Sequence, residues 1–114
     1  MTIDKTVDTA LSAVLANAWP VRLPPNPSWP AIEYEIESEP EEGWVMNGGY
    51  TQHVIDITLY ARTKTELATY LPQIRTAMEA MVGYMSEEES GDAPYEDNPE
   101  VYGKFVSFRI RTQD

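Results

Sequence analysis

Two segments in the first half of the chain alternate apolar and polar residues with a period of two. The first runs from Pro30 to Glu37 and the second from Gly49 to Arg62. This period is typical of strands that bury one face. The pattern therefore predicts a β-hairpin, and the side chains that it turns inward are Ile32, Tyr34, Ile36, His53, Ile55, Ile57, Leu59 and Ala61.

The segment that joins these two strands, residues 38 to 49, is longer than the loops of about two to five residues found in most hairpins. It carries Trp44, Val45 and Met46 where solvent-exposed residues are expected. Aromatic and Met side chains are enriched in the cores of protein interfaces. We therefore expect these three residues to contact another protein chain.

A proline-rich connector, residues 23 to 30, precedes the hairpin, and its prolines exclude a helix or a central strand. Residues 21 to 23 predict a short edge strand before it. Trp19 and Trp29 flank the connector, and we expect them to pack either on their own domain or on a neighbouring molecule. Trp29 is the further candidate for an interface.

Two amphipathic helices are predicted, one on each side of the hairpin. Residues 3 to 18 place apolar side chains at helical spacing, and Pro20 ends this helix. The second helix begins with a capping box of Thr63 and Glu66 and ends near Gly83. Pro72 is expected to kink it. Its apolar stripe consists of Leu67, Leu71, Ile74, Met78 and Met81.

The last part of the chain predicts a loop and then a strand. Residues 86 to 103 contain many acidic residues and no basic one, which is typical of a flexible, solvated loop. Residues 106 to 111 alternate again, so this strand must rejoin the hairpin to bury its apolar side. Residues 1 to 114 are therefore predicted to form a single α+β domain: a mostly antiparallel sheet of three or four strands, two helices on one face and a long β-hairpin.

Composition limits the function. The chain has 114 residues, eight basic and 19 acidic, and a formal net charge of -11. This balance disfavours binding to nucleic acids or anionic membranes, which requires clustered Lys and Arg. The absence of cysteine excludes disulfides and thiolate sites. The amino-terminal residues lack the pattern of a signal peptide, and no apolar stretch is long enough to span a bilayer.

Candidate chemistry is sparse, and we expect neither a cofactor nor a metal site. His53 is the one histidine. A lone histidine at a strand end is more often a hydrogen-bonded structural residue than a catalytic base. The glycines at 48 and 49 lack the spacing and the lysine of a phosphate-binding loop, and the acidic segment lacks the pattern of a calcium-binding loop.

Glu33, Glu35 and Glu37 lie on one face of the first long strand. They invite comparison with paired catalytic carboxylates, but charged residues at alternate positions are ordinary on a solvated strand. We expect arginines of neighbouring strands to stand opposite them and to contribute about 0.2–1 kcal/mol per pair. The candidate arginines are Arg62, Arg109 and Arg111.

Taken together, these patterns resemble the tail terminator, or tail completion, proteins of long-tailed bacteriophages. The resemblance covers nearly the whole chain. It rests on the short first helix, the proline-rich passage into Trp29-Pro30-Ala31-Ile32-Glu33-Tyr34, the strand that ends Leu59-Tyr60-Ala61-Arg62, the helix from Thr63 containing Ile74-Arg75-Thr76-Ala77-Met78, and the variable loop before a terminal strand.

The resemblance implies a virion structural protein and no enzymatic activity. Such proteins form a homo-oligomeric ring, usually a hexamer, in the tail or neck region of the virion after assembly in the host cytoplasm. The ring caps the tail tube and presents a surface to the head completion, or connector, protein. The implied partners are thus other copies of the chain, the tail tube protein and the head completion protein, with no membrane and no specific binding of the DNA that passes through.

An acidic ring subunit suits a DNA passage because carboxylates repel phosphates. We hypothesise that the channel is lined either by Glu33, Glu35 and Glu37 or by the acidic segment that begins with Glu87, Glu88 and Glu89. The hairpin loop with Trp44 is the candidate contact with the tube or with the adjacent subunit.

Two interpretations from other classes remain open at this stage. An acidic domain of this size also fits a DNA mimic that blocks a nucleic-acid-binding protein, which would bind a basic partner in a salt-sensitive manner. A small enzyme or ligand-binding domain is the other, and it predicts a concave pocket near His53.

Overall fold

A computed structural model of the protein describes residues 3–21, 23, 27–40, 50–93, 95 and 100–113. The hairpin-loop candidates Trp44, Val45 and Met46 lie outside the described residues. In this part of the chain the elements, in order, are α1 (Ile3–Val14), β1 (Ala18–Pro20), β2 (Ala31–Pro40), β3 (Tyr50–Ala61), α2 (Lys64–Glu79), β4 (Tyr84–Asp92) and β5 (Tyr102–Gln113).

All the strands belong to one sheet with the order β1-β2-β3-β5-β4. β2 and β3 form the predicted hairpin, and β5 pairs antiparallel with β3 on one side and with β4 on the other. β1 is the exception, because it pairs parallel with β2. The α+β class and the return of the last strand to the hairpin are confirmed, whereas the sheet has five strands instead of three or four.

Both helices pack on one face of the sheet, as the apolar patterns predicted. The buried core combines residues of α1 and α2 with the inward side chains of the three long strands: Val7, Leu11, Leu67, Ile74, Met78, Ile32, Tyr34, Ile55, Ile57, Leu59, Ala61, Val106, Phe108 and Ile110. Tyr34 also donates a hydrogen bond of 2.9 Å to Asp8 and so ties β2 to α1. Burial, reinforced by this bond, raises the pKa of Tyr34 to about 12.

The start of α2 confirms the predicted capping box in its main feature. The Glu66 N–H donates to the Thr63 hydroxyl at 3.2 Å, and this hydroxyl donates to the Glu66 carboxylate at 3.3 Å. Pro72 lies inside the helix, which continues unbroken from Lys64 to Glu79. The hydroxyl of Thr76 donates to the Pro72 carbonyl at 3.0 Å.

The first helix and the edge strand differ from the sequence prediction. α1 ends at Val14 instead of 18, and the strand lies at Ala18–Pro20 instead of 21 to 23. The cause is Asn17, whose side-chain amide donates to the Ser28 carbonyl at 2.7 Å and to the Pro30 carbonyl at 3.0 Å. These contacts hold the chain beside the connector, so it leaves the helix early and begins pairing with β2.

The prediction of a flexible acidic loop at 86 to 103 is wrong for its first part. Residues Tyr84–Asp92 form an edge strand, β4, with two irregularities in its pairing with β5. An edge strand needs a neighbour on one side only and little buried apolar surface, so low hydrophobicity did not reveal it. Residues 94 and 96 to 99 lie outside the described part of the chain.

Two glycines allow close contacts between backbone segments at the two ends of the β4–β5 pairing. Gly83 has a φ of +89°, and a Cβ at this position would overlap the Arg111 carbonyl oxygen. Its own carbonyl accepts a hydrogen bond of 2.9 Å from the Arg111 N–H. At the other end of the pairing, a Cβ on Gly103 would overlap the Ala93 carbonyl oxygen. The pairing of β4 with β5 therefore begins and ends at glycine.

Candidate assembly surfaces

The acids of β2 lie on the face of the sheet that the helices leave uncovered. Glu33 is half-buried and accepts a hydrogen bond of 3.0 Å from the Leu23 N–H, while Glu35 and Glu37 are exposed. Glu35 stands opposite Asp56 of β3, a like-charge pair that is unfavourable on a strand face. Among the described residues no cation forms an ion pair with these acids, so β2 presents a negative surface.

The expected arginine partners of these acids are not where the sequence suggested. β3 separates β2 from β5, so Arg109 and Arg111 are one strand too far away, and Arg62 follows the end of β3. Glu33, Glu35 and Glu37 stand opposite Thr58, Asp56 and Val54 instead. The prediction was wrong because it rested on strand pattern without strand order.

Three of the four acids of β4, Glu87, Glu88 and Asp92, are in contrast matched with cations. Glu87 accepts from Arg75 of α2 at 2.9 Å, and Glu88 accepts from Arg109 of β5 at 2.5 Å. Arg109 also donates to the Gln52 side chain of β3 at 2.5 Å, so one guanidinium connects three strands. The two ion pairs explain how so acidic a segment is accommodated as a strand.

The same charge matching appears in two pKa values. The hydrogen bond from Arg109 holds the pKa of Glu88 below its ordinary value. The hydrogen bond and charge of Lys104, whose ammonium lies 2.5 Å from Asp92, likewise lower the pKa of Asp92. Both carboxylates are therefore held in the ionised form, as expected for acids beside a cation.

Trp29 packs within its own chain. Its ring contacts Tyr60 and Tyr95 edge to face, with centroids 6.1 and 5.0 Å apart, and these two tyrosines are 5.1 Å from each other. Such edge-to-face contacts are favourable aromatic geometry. Trp29 is half-buried by this aromatic cluster of Trp29, Tyr60 and Tyr95, which caps one end of the uncovered face.

Trp19 lies on the edge strand β1 and is 40% exposed. Its indole N–H donates to the Asn17 side chain at 2.6 Å. Val21 follows with a φ of +66° and an exposed side chain. A positive φ is unfavourable for a β-branched residue, and the Val21 N–H donates to the Tyr34 carbonyl at 2.7 Å, a bond that holds this turn against β2.

His53 is 5% exposed and joins three strands through its ring. Nδ1 lies 2.7 Å from the Ser38 hydroxyl of β2, and Nε2 lies 2.8 Å from the Thr112 hydroxyl of β5. Both ring nitrogens therefore have hydroxyl partners, in agreement with a structural histidine. His53 does not line the cavities at Lys64, at Tyr50 or at Pro72 in the described part of the chain.

An apolar groove that the sequence did not predict lies at the end of the molecule where β3 ends and α2 begins. It has a volume of about 610 Å³. Helix α2 forms one wall, and the joined ends of β4 and β5 form the other. The lining residues are Lys64, Leu67, Ala68, Leu71, Asp92, Val101, Tyr102, Gly103 and Lys104.

A second feature missed from the sequence is an exposed apolar turn between α2 and β4. Val82 is 94% exposed and Met85 is 46% exposed. Met81 and Val82 also line a shallow cavity of about 410 Å³ with Ile3 of α1 and Tyr50 of β3. The Arg111 guanidinium stacks on the Tyr50 ring nearby, 3.9 Å from its centroid.

Within the described ranges, no group of three or more His, Cys, Asp or Glu side chains is arranged to hold a metal ion. The search for membrane-spanning helices among the same residues found none that is long and apolar enough.

Comparison with known proteins shows the fold but not a family. No protein-family model matches the chain, and no curated protein matches it. Among solved structures, 34 chains match. One belongs to the virion of a native gene transfer agent (GTA) particle: the TM-score is 0.64 at 15% sequence identity, and the match covers 98% of this chain and 95% of that chain. At this identity the match establishes a shared fold along the whole length of both chains.

Proposed function

We propose that this protein is a structural component of a phage-type virion. The observation that carries the proposal is the match to a chain of a gene transfer agent virion, because it covers 98% of this chain and 95% of that chain. Fold alone does not define function. The second support is independent of it: the resemblance of the sequence to tail terminator proteins.

In its specific form, the proposal is that copies of the chain form a ring, usually of six, that caps the tail tube and offers a joining surface to the head completion protein. The protein would then reside in the tail or neck of the virion, after assembly in the host cytoplasm. Its partners would be the tail tube protein, the head completion protein and its own copies. The proposal includes no catalytic step.

The charge distribution supports a role beside DNA and narrows the hypothesis of the acidic channel. Glu87 and Glu88 are neutralised locally by Arg75 and Arg109, so they are poor candidates for repelling phosphates at a distance. Glu35 and Glu37, exposed on the uncovered face, are the better ones. We propose that this face of β2, with Glu33 at its end, lines the passage, and that Glu89 of β4 adds to it.

The test is capping of tail tubes. Purified protein is added to tubes assembled from the tail tube protein of the same particle, and the mixture is examined by electron microscopy. The expected result is a ring with a central opening at one end of each tube and no further growth from that end. Tubes whose ends stay bare and keep elongating would refute the terminator role.

The same preparation of tubes distinguishes the terminator role from the DNA-mimic alternative. A mimic would bind a basic protein one to one and lose that binding as salt rises, and it would leave tube length unchanged. For the channel hypothesis, Glu35→Lys with Glu37→Lys should leave capping intact while the capped tubes retain DNA more strongly. Unchanged DNA retention would contradict the proposal that β2 lines the channel.

A further inference from the structure

The apolar turn between α2 and β4, residues 81 to 85, presents apolar side chains to solvent on a fixed backbone. Val82 at its tip is 94% exposed, and Met85 is 46% exposed. The turn is held in place because the Gly83 carbonyl accepts a hydrogen bond of 2.9 Å from the Arg111 N–H. Clustered exposure of apolar side chains marks contact surfaces. This turn is therefore a candidate for insertion into another apolar surface.

The apolar groove at the other end of α2 has the lining to receive such a turn. Leu67, Leu71 and Val101 supply apolar surface, and Tyr102 in the lining is 44% exposed. The Lys64 ammonium lies 5.6 Å above the Tyr102 ring. A volume of about 610 Å³ is within the range of sites that take several side chains. An occupant with apolar side chains next to a carboxylate would match this lining.

The charges at the two ends of α2 are opposite to those that the helix dipole favours. Lys64 is the first residue of this helix, where a negative charge is favourable, and Glu79 is the last, where a positive charge is favourable. Both are exposed, and neither forms an ion pair among the described residues. In the groove, Lys104 already pairs with Asp92. Lys64 and Glu79 are thus complementary to each other and unmatched within one copy.

Glu79 belongs to the same surface as the apolar turn. Burial, and then the charge of Glu79, raise the pKa of Tyr84, which places this carboxylate beside the turn. The next acid along the chain, Glu87, already pairs with Arg75. The turn therefore carries one carboxylate that has no cation among the described residues.

One copy cannot join its own turn to its own groove. α2 has 16 residues and separates the two, and a helix of this length spans about 24 Å at roughly 1.5 Å per residue. The register of β5 agrees, since Arg111 near its end contacts the turn whereas Tyr102 at its start lines the groove. A contact between turn and groove must therefore join two copies head to tail.

We propose that the apolar turn of one copy inserts into the apolar groove of the next copy, with Val82 in the groove and Glu79 beside Lys64. The Glu79 carboxylate then also meets the positive end of the next α2. A head-to-tail contact uses two different surfaces, so it propagates and closes into a ring when the rotation between copies permits. The contact deepens the ring proposed above and rests on that function for its biological setting, but its geometry is testable without it.

Cross-linking between copies is the decisive experiment. The chain has no cysteine, so Val82→Cys at the turn and Ala68→Cys at the groove can be placed in separate copies of different mass. Both positions are exposed, so neither change touches the core. The copies are mixed at high concentration, with and without tail tubes, and treated with a short bismaleimide. The expected product is a pair that contains one copy of each variant.

The control pairs Val82→Cys with Glu35→Cys, which lies on the face of the sheet that the helices leave uncovered. The yield of the turn–groove pair should exceed that of this control by about ten-fold or more. Equal yields in both preparations would overturn the proposal.

Charge reversal tests the pairing of Glu79 with Lys64. Either Lys64→Glu or Glu79→Lys, introduced in all copies, should lower the yield of the turn–groove pair by about three-fold, and both changes together should restore it. Each reversal gives its helix end the charge that the dipole favours, so the urea midpoint should not fall. Glu37→Lys on β2 is the matched control and should leave the yield unchanged. A double reversal that stays as weak as the single ones would overturn the proposed pairing.

The same samples separate the contact from the terminator role. Tubes that the two cysteine variants cap without a turn–groove pair above the control would overturn the contact and leave the terminator role standing. Turn–groove pairs from a protein that leaves the tube ends bare would support the contact and refute the terminator role.

Discussion

Two acidic strands of the sheet, β2 and β4, have similar composition and different electrostatic surroundings. The acids of β4 meet Arg75, Arg109 and Lys104 within ion-pair distance. The exposed acids of β2 face Asp56 and Val54 across the ladder. β4 is an edge strand beside the cation-bearing β5, whereas β2 is shielded from β5 by β3.

The comparison shows that equal numbers of carboxylates can serve different purposes. On β4 three of the four carboxylates, Glu87, Glu88 and Asp92, are matched by a cation from α2 or β5 and so help to hold the strand in the sheet. On β2 Glu33 accepts from the Leu23 N–H, whereas exposed Glu35 and Glu37 form no ion pair among the described residues. Negative charge that does not stabilise the monomer is available for long-range repulsion. Three measurements of stability test this difference between β2 and β4.

The largest effect on stability is expected from substitution of the two glycines at the ends of the β4–β5 pairing. Gly83→Ala or Gly103→Ala would place a Cβ against a backbone carbonyl, and for Gly83 also in an unfavourable φ region. Each change should lower the free energy of unfolding by about 2–4 kcal/mol, measured by urea denaturation.

Glu35→Ala on β2 is the matched control for these glycine variants and should stay within about 0.5 kcal/mol of the wild type. If both glycine variants unfold at the wild-type urea concentration, the close approach of β4 to the rest of the sheet does not exist.

A smaller effect on stability is expected from substitution of Arg109, whose guanidinium connects three strands. Arg109→Gln removes the hydrogen bonds to Glu88 and Gln52 and leaves Glu88 among other acids. We expect a loss of about 0.5–1.5 kcal/mol at low salt. The loss should shrink in 1 M salt, because exposed ion pairs are screened.

Glu37→Gln is the corresponding change on β2, and it should lower stability little or raise it slightly by reducing repulsion. An equal loss for Arg109→Gln and Glu37→Gln would abolish the distinction between the two strands.

The smallest effect is expected in the dependence of stability on pH. The folded-state pKa of Glu88 is below its ordinary value of 4.5 and that of Asp92 is below 3.8. A lowered folded pKa stabilises the folded protein above the ordinary pKa, and this stabilisation is lost as the pH falls through the folded pKa. The urea midpoint of the wild type should therefore fall more steeply below about pH 4.5 than that of Glu88→Gln. Parallel curves for the two proteins would show that the Arg109 pairing does not persist in solution.

Much of the inner face could be predicted from the sequence. The period-two alternation of β2, β3 and β5 identified the buried side chains, and the capping box located the start of α2. These features are local, since each depends on residues that are neighbours in the chain. The same reasoning failed for β4, whose acids Glu87 and Glu88 are matched by Arg75 and Arg109 from other elements.

Some features of the candidate surfaces could likewise be predicted from the sequence, and others could not. The sequence alone identified the acidic residues of β2 and the apolar residues of the hairpin loop. It did not reveal that Trp29 packs on Tyr60 and Tyr95, because these three residues are far apart in the chain. Nor did it reveal the groove at Lys64, whose walls come from α2 and from the start of β5.

The sequence alone therefore predicts which face of β2, β3, β5 and the two helices is buried and where α2 begins, and it gives the net charge of -11. Tertiary structure decided the strand order, and strand order decides which charges meet. The burial pattern of a strand can be predicted from neighbouring residues because alternate side chains face the core. Charge pairing and grooves arise between elements distant in the chain, so they exist only once β5 is inserted between β3 and β4.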